Sequence, residues 1–129
     1  MREIKFRAWD TLRKCYDHDP LVFHGKACYI DSFDALEFYD IGRFILEQYT
    51  GFKDKNGKEI YEGEILTNGK VVYRVDYKES HAQYCLKVIK TTYVLTKGLH
   101  FPLWQYIVGD SCILEAIGNI HQHPELLEG

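Results

Sequence analysis

A chain of 129 residues that is 46% hydrophobic, 15% aromatic and 27% charged has enough apolar material for one core and lies far from the composition of disordered segments. Its net charge of −3 argues against a dedicated nucleic-acid domain, which would be strongly basic. No run of about 18 apolar residues is present, so no membrane-spanning helix is expected.

The opening segment, MREIKFRAWD, carries charges at positions 2, 3, 5, 7 and 10, which is incompatible with the apolar stretch of a signal peptide. A reducing cytoplasm is therefore the expected compartment. The 4 cysteines, Cys15, Cys28, Cys85 and Cys112, are far apart and form no C-x-x-C pair. They are expected to be reduced thiols, mostly buried, with no zinc site and no disulfide. Charge changes sign along the chain. Residues 31–66 hold 9 acids against 4 bases, residues 67–100 hold 6 bases against 2 acids, and residues 101–129 hold 4 acids and no base.

Residues 3–9 alternate Ile4, Phe6 and Ala8 with Lys5, Arg7 and Trp9, the period of a strand with one covered face. A turn over Asp10–Lys14 precedes short strands at Cys15-Tyr16 and Leu21–Phe23. In DSFDALEFYDIG, Asp31 or Ser32 can cap a short helix with Asp34 in its first turn, Phe33, Leu36 and Tyr39 at helical spacing, and Gly42 as its stop. FILEQYTG then reads as extended, and D-K-N-G at 54–57 as a reversal. A second turn at Asn68-Gly69 separates EIL from KVVYRVDY. There Val71, Tyr73, Val75 and Tyr77 share one face of a hairpin, and Lys70, Arg74 and Asp76 mostly the other. YCLKVIKTTYVL and LWQYIV add two or three strands, punctuated by Gly98 and Pro102. ILEAIGNI is a closing strand, and Pro124 starts one helical turn over PELLE. No repeat or linker divides the chain. The expected architecture is one domain over residues 1–129, mainly β: a small SH3-like barrel or pseudo-barrel with extra N-terminal strands and at most short helices.

Three blocks, MREIKFRAWD, QYTGFKDKNGKEIYEGEIL and EAIGNIHQHPELLEG, together resemble the YopX-type phage proteins. The central block is the most specific, with a turn, a strand and an E-G-[DE]-I step in that order; Glu64 stands where the family commonly has aspartate. The resemblance implies a small β-barrel-like domain encoded by phages or prophages, with a tendency to self-associate. It brings no settled activity, and so no catalytic residue to carry over.

His121 and His123 with Glu125 offer three potential metal ligands, but the pair precedes Pro124 in an exposed-looking tail where one histidine can cap the final turn. Asp17-His18-Asp19 reads equally well as a solvated loop. Of Glu59, Glu62 and Glu64, the last two are expected on one exposed face, with Gly63 allowing a bend into a strand. No nucleophile elbow, P-loop, dinucleotide turn or H-E-x-x-H helix is present. The expectation is therefore a protein without catalysis, cofactor or metal. Two functions fit it. The first is an oligomeric module that binds itself and a phage or host protein, with Trp9 and Trp104 as interface candidates because tryptophan joins a large apolar area to a hydrogen-bonding tip. The alternative is a nucleic-acid-binding barrel using segment 70–97, where Arg74, Lys78, Lys87 and Lys90 lie among Tyr73, Tyr77, Tyr84 and Tyr93.

Overall fold

The computed structural model describes residues 3–18, 20–23, 26–30, 36–37 and 43–128. The chain divides into two compact units, Glu3–Gln48 and the part from Tyr49 onward.

In the first unit, β1 (Phe6–Asp10) pairs antiparallel with β2 (Cys15–Asp17) across a tight turn held by Asp10, whose Oδ1 accepts the N–H groups of Leu12 and Arg13. Short strands β3 (Leu21–Phe23), β4 (Lys26–Ile30) and β5 (Leu36–Glu37) form a separate antiparallel ladder. Leu36 and Glu37 therefore lie in a strand, not in the expected helix, because they extend the β4 ladder; the rest of that predicted helix, residues 31–35 and 38–42, lies outside the described residues. The first half of β6 (Phe44–Lys53) pairs with β1, placing Glu47 opposite Arg7 and Ile45 opposite Trp9. The expectation that β1 covers only one face is overturned. Arg7, Ala8, Trp9 and Asp10 are all buried, because each face carries an ion pair that makes burial of a charge tolerable, Arg7 with Glu47 on one and Asp10 with Arg43 on the other.

The second unit opens on the other half of β6, which reverses through Asp54 into β7 (Glu59–Tyr61). Its main sheet runs β11-β10-β9-β8-β14, comprising β8 (Glu64–Thr67), β9 (Val72–Lys78), β10 (Gln83–Lys90), β11 (His100–Pro102) and β14 (Glu115–Asn119). Between β11 and β14 lies a small hairpin of β12 (Ile107–Val108) and β13 (Ser111–Cys112). The turn between β8 and β9 forms as its sequence demands: Asn68 Oδ1 accepts the N–H groups of Lys70 and Val71, and Gly69 takes a φ of 93° that side chains disfavour. Gly63 (φ 83°) supplies the bend before β8.

One face of this sheet carries the core, with Leu66, Tyr73, Val75, Leu86 and Val88 packing against Ile60, Leu103, Cys112 and Leu114. The fold is mainly β, a set of open sheets without a closed barrel. Its only helical pieces among the described residues are four 3-10 turns, the last over Pro124–Leu127 with proline in its first turn, as expected. LWQYIV departs from the predicted strand: Leu103–Tyr106 is a 3-10 turn, and only Ile107–Val108 is extended. Pro102 cannot donate to the ladder and ends β11 immediately before it.

Candidate interaction surface

The basic segment folds into the β9–β10 ladder. Direct pairing of Arg74 with Lys87, Lys78 with Gln83 and Val72 with Lys90 places Arg74, Lys78, Lys87 and Lys90 on one face, since opposed residues of an antiparallel ladder point the same way. Asp76 sits among them. Arg74 grips it through two bonds of 2.8 and 3.0 Å, and His100 Nε2 lies 3.9 Å from its Oδ2. The tyrosines point elsewhere. Tyr73, Tyr77 and Tyr84 alternate onto the core face, where Tyr73 meets Tyr106 at 5.6 Å and Tyr77 meets Tyr84 edge-on at 5.2 Å. Rings and cations thus occupy opposite faces of the sheet, so the stacking platform expected of segment 70–97 is not formed by these side chains.

The two tryptophans part company. Trp9 is 5% exposed and packs edge-on against Tyr16 at 4.9 Å, which makes it a core residue and removes it as a surface candidate. Trp104 is 63% exposed. It stands at an open cavity of about 450 Å³ whose walls include Gly51, Phe52, Gln83, Tyr84 and Leu103. The hydroxyl of Thr50, which also lines the cavity, donates to Ile60 O at 2.8 Å, so the cleft is dominated by ring and aliphatic surface. At the far end of β10 the chain exposes Tyr93, Val94 and Leu95 in a row. Sequence reasoning placed these in a strand. The missed signal is length, because the apolar run continues past Lys90 beyond an ordinary strand while Thr91 Oγ1 accepts the N–H of Tyr93 and turns the chain.

The titratable groups are occupied with structure. Burial alone would push Asp54 up, but its carboxylate accepts backbone N–H groups from Ala116, Lys58 and Asn56, which hold it below the ordinary carboxylate value. It thereby ties the β6–β7 turn to β14, with Lys55 N–H donating to Leu114 O. Glu64, expected on an exposed face, is 1% exposed, with Lys58 Nζ 3.8 Å from Oε2. Its neighbour in the motif, Gly63, turns it inward. Burial pushes the thiols of Cys85 and Cys112 up; Cys15 is exposed. Burial, then a hydrogen bond with Tyr73, raises Tyr106 to about 12. In the tail, Asn119 Oδ1 accepts the N–H groups of His121 and Gln122, and His123 Nδ1 accepts that of Asn119. These bonds close the final turn. Among the described residues no group of three His, Cys, Asp or Glu side chains could hold a metal ion, and no helix is long and apolar enough to cross a membrane.

Open β sheets, structurally committed ionisable groups and a surface divided between a basic face and an apolar cleft define a small mainly β protein. Residues 5–128 match the YopX protein family, and the chain belongs to that family, as its three sequence blocks suggested. A similar solved structure is protein EF1440 from Enterococcus faecalis, 26% identical with a TM-score of 0.61, the match covering 99% of this chain and 100% of that one. No curated protein matches the chain.

Proposed function

We propose that this YopX-family chain is a phage or prophage accessory protein that acts in the host cytoplasm by binding proteins, copies of itself included, and not by catalysis. The observation that carries the reading is the cleft at Trp104: a ring 63% exposed beside an apolar cavity large enough for side chains of a partner. Exposed tryptophan at a concave apolar site is the composition of an interface hot spot. The absence of catalysis is supported by the use made of reactive groups. Asp54 is spent on backbone bonds, and the thiols of Cys85 and Cys112 are held protonated by burial, which removes the nucleophilic thiolate.

The single face shared by Arg74, Lys78, Lys87 and Lys90 favours a second reading, electrostatic binding of a nucleic-acid backbone, which would weaken steeply as salt rises. One experiment separates the two. The tagged full-length protein is captured from prophage-carrying cells, half of each sample being treated with nuclease, alongside Trp104→Glu and Lys87→Glu variants. A protein retained after nuclease and lost with Trp104→Glu supports the binding module. Nucleic acid lost on nuclease treatment and with Lys87→Glu transfers the function to the basic face.

A further inference from the structure

We infer that the cation face of the β9–β10–β11 ladder is a site for double-stranded DNA, held by its phosphates and without regard to sequence. The inference rests on the second reading given above and names the form of nucleic acid that the face takes.

Strand register arranges the cations. Arg74, Lys87 and His100 are directly opposed across three neighbouring strands, so three basic side chains stand side by side. Like charges placed opposite one another, as Arg74 and Lys87 are, destabilise a sheet unless something negative covers them. Asp76 offsets only part of this. Arg74 occupies both of its oxygens, and His100 Nε2 lies 3.9 Å from one of them. Among the described residues Lys78, Lys87 and Lys90 have no carboxylate partner. Lys90 joins this face through a bulge, because the register of β10 against β9 shifts between Val88 and Lys90. With regular alternation Ile89 would share the face of Lys87, and Lys90 would point to the other. The bulge re-aims Lys90 and leaves Ile89 buried. From Lys78, opposite Gln83, to Lys90, the cations follow β10 for about 23 Å, the length of about seven phosphates along one strand of a duplex.

The occupant follows from charge complementarity and from what shares the face. Proteins that bind single strands stack bases on aromatic rings set beside their cations, and here Tyr73, Tyr77 and Tyr84 lie on the opposite face. A duplex keeps its bases stacked on one another and presents one charge per about 1.7 Å of its axis. It needs cations in line and no stacking platform. Among the described residues of β9, β10 and β11 on this face, Gln83 alone offers a neutral amide or hydroxyl. The 2′-hydroxyls through which duplex RNA is distinguished would find little to engage them, so the face is matched to DNA.

Fluorescence anisotropy of a labelled DNA duplex of mixed sequence, and of an oligo-dT single strand of the same length, tests this with the full-length protein. The expected result is that the duplex binds more tightly than the single strand. Its log K should fall against log salt with a slope of about −3, a loss of about 40-fold between about 50 and 200 mM. Lys87→Gln/Lys90→Gln should reduce that slope to about −1, whereas Asp76→Asn, which releases Arg74 to the phosphates, should raise it to about −4 and tighten binding at low salt. A gain on removing one carboxylate is a response that a purely structural role for these side chains does not give. Tyr77→Leu, on the opposite face and 45% exposed, should change nothing. Thermal unfolding of each variant checks that the fold is kept. A single strand bound as tightly as the duplex, a loss with Tyr77→Leu, or a duplex affinity indifferent to the Lys87, Lys90 and Asp76 changes overturns the inference while nucleic-acid binding stands. Failure of both probes to bind at low salt removes both.

Discussion

The two units of the chain solve burial differently. In the unit Glu3–Gln48 the strand β1 buries Arg7 and Asp10 beside Ala8 and Trp9. Arg7 Nε meets Glu47 Oε1 at 2.8 Å with its guanidinium 4.2 Å from the Tyr16 ring centre, and Asp10 is held by Arg43 at 3.1 and 3.2 Å. In the unit from Tyr49 onward the core cluster itself is hydrocarbon, from Ile60 through Leu66, Val75 and Leu86 to Leu114, and of its buried carboxylates Asp54 serves the backbone while Glu64 has Lys58 Nζ at 3.8 Å. The difference is instructive. Burial of hydrocarbon tolerates substitution in proportion to the area lost, whereas a buried ion depends on one partner and becomes a liability when that partner is removed.

Removal of one partner should therefore have the largest effect. Arg7→Ala, which leaves Glu47 buried without its guanidinium, should cost about 3–5 kcal/mol, and Arg7→Met/Glu47→Leu should recover most of the loss. Denaturant unfolding followed by fluorescence reads this directly in a Trp104→Phe background, where Trp9 is the remaining one of the 2 tryptophans. If the double variant is no better than the single, the pair contributes net stability and the contrast between the units narrows. In the apolar unit, Leu86→Ala should cost about 3 kcal/mol by cavity formation, read as a lower denaturant midpoint at an unchanged slope.

Asp54→Ala should cost about 1–3 kcal/mol, because it leaves buried N–H groups without an acceptor; hydrogen exchange at Ala116 should accelerate with it. Acid offers a smaller and graded perturbation. The Arg43 guanidinium, with the N–H groups of Arg13 and Leu12, outweighs burial and holds Asp10 at about 2 against an ordinary 3.8. A depressed carboxyl contributes stability above about pH 4 that is lost as pH falls towards 2. Asp10→Asn should flatten that part of the stability profile. The smallest effect is expected at Arg74→Ala. The pair with Asp76 is part-exposed, so stability should change by no more than about 1 kcal/mol, while any binding to nucleic acid should weaken and become less steeply dependent on salt.

The family blocks proved to be the places where local chemistry is most demanding. D-K-N-G predicts a reversal because Asp54 and the residues after it can satisfy their own backbone, and it forms one. Just past the central block, Asn68-Gly69 predicts the β8–β9 hairpin for the same reason. Pro124 predicts the terminal turn. The candidate site was legible by halves: alternation correctly set Tyr73, Val75 and Tyr77 apart from Arg74, but gave no sign that Tyr84 of the next strand pairs with Tyr77 on that same face. Trp9 and Trp104 are indistinguishable as sequence, yet one is core and the other is the surface.

What the sequence determined by itself was local: the turns, the period of two along β9, the proline that ends β11, and the membership of a family through blocks built around those turns. Each follows from interactions within a few residues, which the chain carries with it. Tertiary structure alone decided that Glu64 is buried, that Arg7 lies opposite Glu47, that Asp54 closes on Ala116 62 residues away, and that the Trp104 cleft and the Tyr93–Leu95 tip fall at opposite ends of β10. These depend on strand register and on which distant segment covers a given face, and a polar residue is written the same way in a sequence whether its partner is water or another buried charge.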